Sequence, residues 1–359
     1  MPLVKVQSRG TENVGAGNRN IIINGAMQVA QRATSATNIS SSAYHTVDRH
    51  KFTMGNTAGR LTMTQESITD LSGFAKAIKL DCTTADTSIA SNEYAFIQHS
   101  LEGQDLQQLK KGTSDAEKVT LSFYVKGNAS ATYTVELEDG DNSRYNSQEF
   151  SVTSSWTRVV KTFVGDTTGT LDNDNAESIR ISFWLHGGSN YTGGTHSSNT
   201  WHTTENQRLG DNQTSFFDST DRTFFITGIQ LEVGEQASDF QHRSFGEELA
   251  LCQRYFQSFT DNGSGGGYIT NGTIISARFY GTFRYPKRMR AIPSSFTFTS
   301  GGFNVQSDAL SVGSQSIDET HNATIDSVRF RTGQNTNFTN GQGAILRFDS
   351  GTIDIDAEL

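Results

Sequence analysis

Two cysteines are too few for a disulfide framework, and neither Cys82 nor Cys252 sits in a CxxC or metal-ligand spacing. Both read as small buried thiols of a protein made in a reducing cytoplasm. Proline is scarce, at three residues, so proline-rich linkers are excluded. No apolar run approaches the ~18 residues that cross a bilayer as a helix, so no membrane insertion is expected. The polar start, Met1 to Asn20, lacks the apolar core of a signal peptide. Cationic excess is missing too. The net charge is −9, and an acidic chain repels a phosphate backbone, which argues against nucleic-acid binding. The local exception, Arg284, Lys287, Arg288 and Arg290, reads first as a solvated or salt-bridged rim at a subunit contact. There is no GxSxG elbow, P-loop, HExxH or EF-hand pattern. The chain is therefore read as non-catalytic, with no cofactor required.

Hydrophobic residues make up only 34 %, below the ~45–50 % of average globular chains. Ser, Thr, Asn, Gly and Gln fill the deficit, as thin β-sandwiches with long polar loops require. Phe, at 23 residues, suits half-buried pleated surfaces, and Gly, at 34, suits turns and bulges. Period-2 alternation marks the strands: Val119, Leu121, Phe123 and Val125; Tyr133, Val135 and Leu137; Ile179, Ile181, Phe183 and Leu185; Phe225 to Val233. A short strand is expected at Ile21–Ile23, ending at the turn dipeptide Asn24-Gly25. Residues 187–222 form a polar stretch too long for an ordinary loop. Its aromatics, Tyr191, Trp201, Phe216 and Phe217, favour a packed structure.

One helix is expected. Ser244 and Glu247 match a capping box, and Phe245, Leu249, Cys252, Phe256 and Phe259 recur at steps of 4, 3, 4 and 3. That stripe packs on its own domain or forms a seam about a symmetry axis, with Phe245, Leu249, Cys252 and Phe256 as the oligomer-contact candidates. Strand signals return at 276–285, 294–300, 326–331 and 344–349. The organisation read from the chain is all-β: an arm over 1–20, a jelly-roll sandwich over 21–243, a linking helix over 244–259, and a second, smaller β-sandwich over 260–359.

Chemistry-bearing groups are sparse. His186, His196 and His202 with Glu205 could gather a metal, but loop histidines are more often simply solvated, and no metal site is assigned. The acidic loops 136–141 and 172–175 carry oxygens that suit structural calcium, without a recognised calcium-loop spacing. Sugar binding is the best-supported chemistry, since sugar rings stack on aromatics carried by polar loops on a rigid scaffold. Tyr145, Trp184, Tyr191 and Trp201 are the candidates. Trp184 is opposite in phase to Phe183 on its strand, so packing under a loop competes with ligand contact there.

Two stretches carry a resemblance. The first is MPLVKVQSRGTENV with NRNIIINGAMQVAQRATS and Asp48-Arg49. The second runs from Gly193-Gly194-Thr195 through Asn199-Thr200-Trp201 and Asp218-Ser219-Thr220 to ITGIQLEVGEQASDFQHRSFGEELALCQRYF. Together they resemble tail-fibre and other virion structural proteins of marine bacteriophages, especially those infecting cyanobacteria. That family commonly has Trp after the Asp-Arg pair, where this chain has His50. The resemblance implies a carbohydrate-binding-module-like jelly roll and a homotrimeric component on the outside of the virion. It implies an arm that docks on other virion proteins, and host surface polysaccharide or lipopolysaccharide as partner. A tail-fibre or receptor-binding role leads. A capsid-surface or vertex decoration protein and a polysaccharide depolymerase are the alternatives.

Overall fold

The computed structural model describes residues 19–261, 267–308 and 310–359. The expected arm over 1–20 therefore lies outside the described residues, except for Arg19 and Asn20. The chain divides into two compact units, one ending at Ser244 and one running from Phe245 to Leu359. Among the described residues no helix is long and apolar enough to cross a membrane.

Eleven strands build the first unit's described part: β1 (Ser35–Ile39), β2 (Lys51–Gly55), β3 (Arg60–Ser67), β4 (Lys76–Thr84), β5 (Tyr94–Glu102), β6 (Val119–Gly127), β7 (Ala131–Asp139), β8 (Arg144–Val152), β9 (Thr157–Phe163), β10 (Glu177–Gly187) and β11 (Thr223–Val233). They form two antiparallel sheets, ordered β1-β3-β4-β11-β6-β9 and β2-β5-β10-β7-β8. The alternating residues of β6, β7 and β10 point inward. Phe123 packs edge-on to Phe150 and Phe183 at 5.1 and 5.0 Å between the sheets. A bulge in β11 falls between Thr227 and Gln230. Gly228 adopts φ +63° there, and a Cβ would lie 2.8 Å from the Phe74 ring, so only glycine fits.

Ile21–Ile23 does not become a strand of either sheet. The segment is tied to β11 by one backbone bond, Ile21 N to Leu231 O at 3.0 Å, and by the Asn20 side chain, which donates to Ile229 O at 3.2 Å and accepts from Leu231 N at 3.1 Å. The long stretch after β10 is structured, as its aromatics require. It opens with α1 (Ser189–Thr192), and Phe216 and Phe217 are fully buried in the main core.

The second unit begins with α2 (Phe245–Cys252). Its strands are β12 (Phe256–Thr260), β13 (Tyr268–Ile275), β14 (Arg278–Arg284), β15 (Ser295–Phe298), β16 (Phe303–Ser307), β17 (Leu310–Gln315), β18 (Ile317–His321), β19 (Ser327–Thr332), β20 (Gly343–Phe348) and β21 (Thr352–Asp356). A three-stranded sheet, β12-β21-β15, and a seven-stranded sheet, β17-β16-β20-β13-β14-β19-β18, share a core around Phe279, Phe303, Phe330 and Leu346. The four strand signals read from this half correspond to β14, β15, β19 and β20.

The helix is shorter than its apolar spacing suggests. It stops at Cys252, and Phe256 lies on β12, paired with Asp356 of β21. The proposed stripe is thus split between two kinds of element. Phe245 is exposed, Leu249 is partly buried, and Cys252 and Phe256 are buried within their own unit. Those two do not offer a surface to a symmetry mate.

Candidate functional site

The outward face of the five-stranded sheet carries the polar half of each alternating strand. Cross-strand register sets these side chains in rows. Thr53, Phe96, Trp184, Thr134 and Glu149 form one row, and Lys51, Gln98, Ser182, Glu136 and Ser147 the next. Ser100, Arg180, Glu138 and Tyr145 form a third. The stretch after β10 folds back across the β7–β8 side of this face. Gly210 N donates to Thr134 Oγ1 at 3.0 Å, Thr214 N donates to Thr132 O at 2.8 Å, and His202 forms a bridge with Tyr145. On the β2–β5 side the cover stops, leaving a cleft of about 240 Å³.

Arg208, brought in by the covering loop, fixes the cleft's inner wall. Its Nε and Nη2 donate to the two Glu136 carboxylate oxygens at 2.9 and 2.6 Å, and Nη2 also reaches Glu138 Oε2 at 2.7 Å. A planar guanidinium matched to a carboxylate is a rigid pair. Burial alone would lower the Arg208 pKa, but Glu136 and Glu138 outweigh it and hold the pKa above the usual value. Burial pushes the Glu138 carboxyl up, helped by Glu136 and opposed by Arg208 and Arg180. Arg180 continues the network to Glu138 at 3.0 Å and Glu177 at 2.5 Å. Glu177 in turn accepts from Ser100 and from Gln98, the latter at 3.3 Å.

Aromatic rings complete the cleft. Tyr94 and Tyr191, both partly exposed, meet at 82° with centroids 6.0 Å apart. Phe96 and Trp184 form the floor beneath them, 4.5 Å apart. Glu205 stands exposed at the rim. The arrangement offers partly open ring faces beside a fixed array of hydrogen-bonding groups. That combination suits a flat, hydroxyl-rich ligand.

Of the four aromatic candidates, the structure brings Tyr145, Trp184 and Tyr191 together and leaves Trp201 elsewhere. Trp184 cannot present a face. It is 1 % exposed, donates Nε1–H to Glu136 at 3.1 Å and supports Tyr191 from below at 5.1 Å. Its expected ligand contact is corrected to a supporting role, because the outward phase of β10 is itself roofed by the loop. Tyr145 is stacked under Arg208 at 4.1 Å. Trp201 packs on the main core and donates Nε1–H to Val164 O at 2.8 Å. Of these four candidates, Tyr191 alone lines the cleft with a partly open ring. Tyr94, Thr53, Arg180 and Arg208 were not anticipated, and Glu205, noted only beside the loop histidines, lines the cleft rather than a metal site. The outward phase of 94–98 pointed to Tyr94, but nothing in the sequence placed Arg208 over Glu136.

The loop histidines do not converge. His186 is held between Glu93 at 3.0 Å and Ser215 at 2.8 Å, with burial lowering its pKa. His196 contacts Ser147 Oγ at 3.0 Å. Among the described residues no group of three or more His, Cys, Asp or Glu is placed to hold a metal. The acidic loop 136–141 sends Asp139 to the Lys111 ammonium, and Asp174 caps Ala176 N at 2.8 Å.

No protein-family model matches the chain, and no curated protein matches it. Solved structures that it is similar to include a CBM4 carbohydrate-binding module, at 12 % identity over 58 % of this chain and 97 % of that one, TM-score 0.29. A family 11 carbohydrate-binding module from Clostridium thermocellum, in complex with a β-1,3-1,4-mixed-linked tetrasaccharide, is 13 % identical over 57 % of this chain and 99 % of that one, TM-score 0.28. The enzymatically active domain of bacteriophage CBA120 tailspike protein 4 is 11 % identical over 60 % of this chain, TM-score 0.30. The match spans only 21 % of that tailspike chain. At such identities and scores, the meaning of the cleft has to come from its own geometry.

Proposed function

We propose that this chain is a non-catalytic glycan-binding component of a phage particle, and that the cleft beside Tyr94 and Tyr191 is its saccharide site. The observation that carries the reading is the pair of partly open tyrosine rings set beside Arg180, Arg208 and Glu205. A sugar's C–H face stacks on an aromatic ring while its hydroxyls take charged or amide partners. Here those partners are fixed before a ligand arrives, because Arg180 and Arg208 are each locked by carboxylates. Fixed groups lower the ordering cost of binding. The particle assignment draws on the sequence resemblance: a tail-fibre or receptor-binding protein, homotrimeric, docked by its N-terminal arm, and meeting host surface polysaccharide or lipopolysaccharide.

Titration calorimetry of the full chain against a panel of neutral polysaccharides and host lipopolysaccharide tests the site. Tyr191→Ala and Tyr94→Ala are each expected to weaken the best ligand roughly tenfold, about 1.4 kcal/mol. Unchanged affinity in both variants would remove the cleft as the binding site. Release of new reducing ends in the same mixtures would overturn the non-catalytic reading.

A further inference from the structure

We propose that the outward face of the seven-stranded sheet in the second unit is a separate binding surface for anionic polysaccharide. It is independent of the tyrosine cleft in residues and in charge. Alternation along β14 and β19 puts Arg278, Tyr280, Thr282 and Arg284 on this face with Arg329 and Arg331. The register places Thr282 opposite Arg329 and Tyr280 opposite Arg331. On the other side of β13, Arg347 of β20 pairs with Tyr268 and lies 5.3 Å from its ring.

The four arginines of β14 and β19 fall into two groups. Arg278 and Arg331 are neutralised, clamping Asp318 at 2.7 and 3.1 Å, with Glu319 adding to Arg331. Arg284 and Arg329 have no ion pair among the described residues. Arg284 is exposed, and Arg329, half-buried, rests 5.6 Å from the Tyr280 ring, its Nε without a hydrogen-bond partner among the described residues. The Asp318 and Glu319 carboxylates stand on β18 at one edge of the sheet, and Asp308 lies in a groove beyond β20. Two shallow troughs, about 640 and 410 Å³, meet at Asn271 and Thr282, one reaching Arg284 and the other Arg329 and Tyr280.

An open strip with two unpaired planar guanidiniums, an aromatic ring and amide and hydroxyl groups matches a chain of sugars bearing spaced carboxylates. Guanidinium binds carboxylate through two parallel hydrogen bonds. Two cations on a chain of net charge −9 are poorly matched to a nucleic acid, whose duplex carries a negative charge every ~1.7 Å. The unpaired guanidiniums therefore favour the sparser polyanion.

The test is binding of the full-length protein to polygalacturonate at low salt, with neutral laminarin and single-stranded DNA alongside. Polygalacturonate is expected to bind, with affinity falling as salt screens the exposed pairs. Arg284→Gln and Arg329→Gln should each cost roughly tenfold. Thr282→Arg, on the same exposed strip, should tighten binding, and Tyr191→Ala should leave it unchanged. No binding at low salt, full binding by the double glutamine variant, or tighter binding of DNA than of polygalacturonate would overturn the proposal. Loss through Tyr191→Ala would instead assign the polyanion to the cleft.

Discussion

At positions 50 and 99 two imidazoles are packed against each other, 4.9 Å apart, inside the first sandwich. His50 and His99 are both fully buried. Burial lowers the His50 pKa to about 3, against a weak pull from Asn24 O and with Arg49 adding to the depression. His99 is lowered too, first by burial and then by the charges of His50, Arg49 and Arg243. Both imidazoles are thus neutral in the folded chain, while unfolding frees them to protonate near pH 6.5. Their contribution is complete above about pH 6.5 and is lost as pH falls toward the folded values, at up to ~1.4 kcal/mol per pH unit for each group. Urea melts between pH 7 and 4 should show that loss. His99→Phe should make the dependence shallower, and an unchanged slope would show that other groups set acid stability.

Among elements, the decisive fastening of the first unit's edge is a cation held by loops. Lys111 Nζ meets Asp139, Asp166 Oδ2 at 3.1 Å, and the carbonyls of Thr168 and Gly169 at 3.0 and 2.9 Å. Arg144 grips the same Asp166 at 2.6 Å. The ammonium ties the end of β7 to the loop between β9 and β10, in an oxygen cage of the kind the acidic loop suggested for calcium. Lys111→Met leaves two buried carboxylates short of a partner and is expected to cost ~3–5 kcal/mol. Chemical denaturation at pH 7 measures it. Adding Asp139→Asn should recover part of the penalty, and a double variant no more stable than Lys111→Met would deny the charge origin. Elements also show how far sequence reading reached. The alternation of β6, β7 and β10 was legible because one face of each is core. The helix end was not, because Phe256 and Phe259 keep a helical step while β21 claims them as strand partners from almost the other end of the chain. The same limit applies to the cleft. Tyr191 was visible as a loop aromatic, whereas Arg208 matters only because the loop folds back onto Glu136.

Over the whole molecule, each unit owns a core. The first is built around Phe123, Phe183 and Phe224, and the second around Phe279, Phe330 and Leu346. A fragment ending at Ser244 keeps every strand of the first sandwich, so it is expected to unfold cooperatively and to retain binding at the Tyr191 cleft. A fragment that melts without cooperativity would show that the first unit depends on residues after 244. Composition and period-2 patterning by themselves determined an all-β chain of two sandwiches with a structured polar loop, since buried and exposed faces must alternate along a strand whatever it pairs with. Only the tertiary structure decided which outward residues are roofed and which stay open. It buried Trp184, opened Tyr94, filled the acidic loop with Lys111 and left Arg284 and Arg329 without an ion pair among the described residues. Those outcomes depend on which strands lie side by side and where a loop comes to rest, and such long-range choices are made by packing and charge neutralisation between residues far apart in the chain.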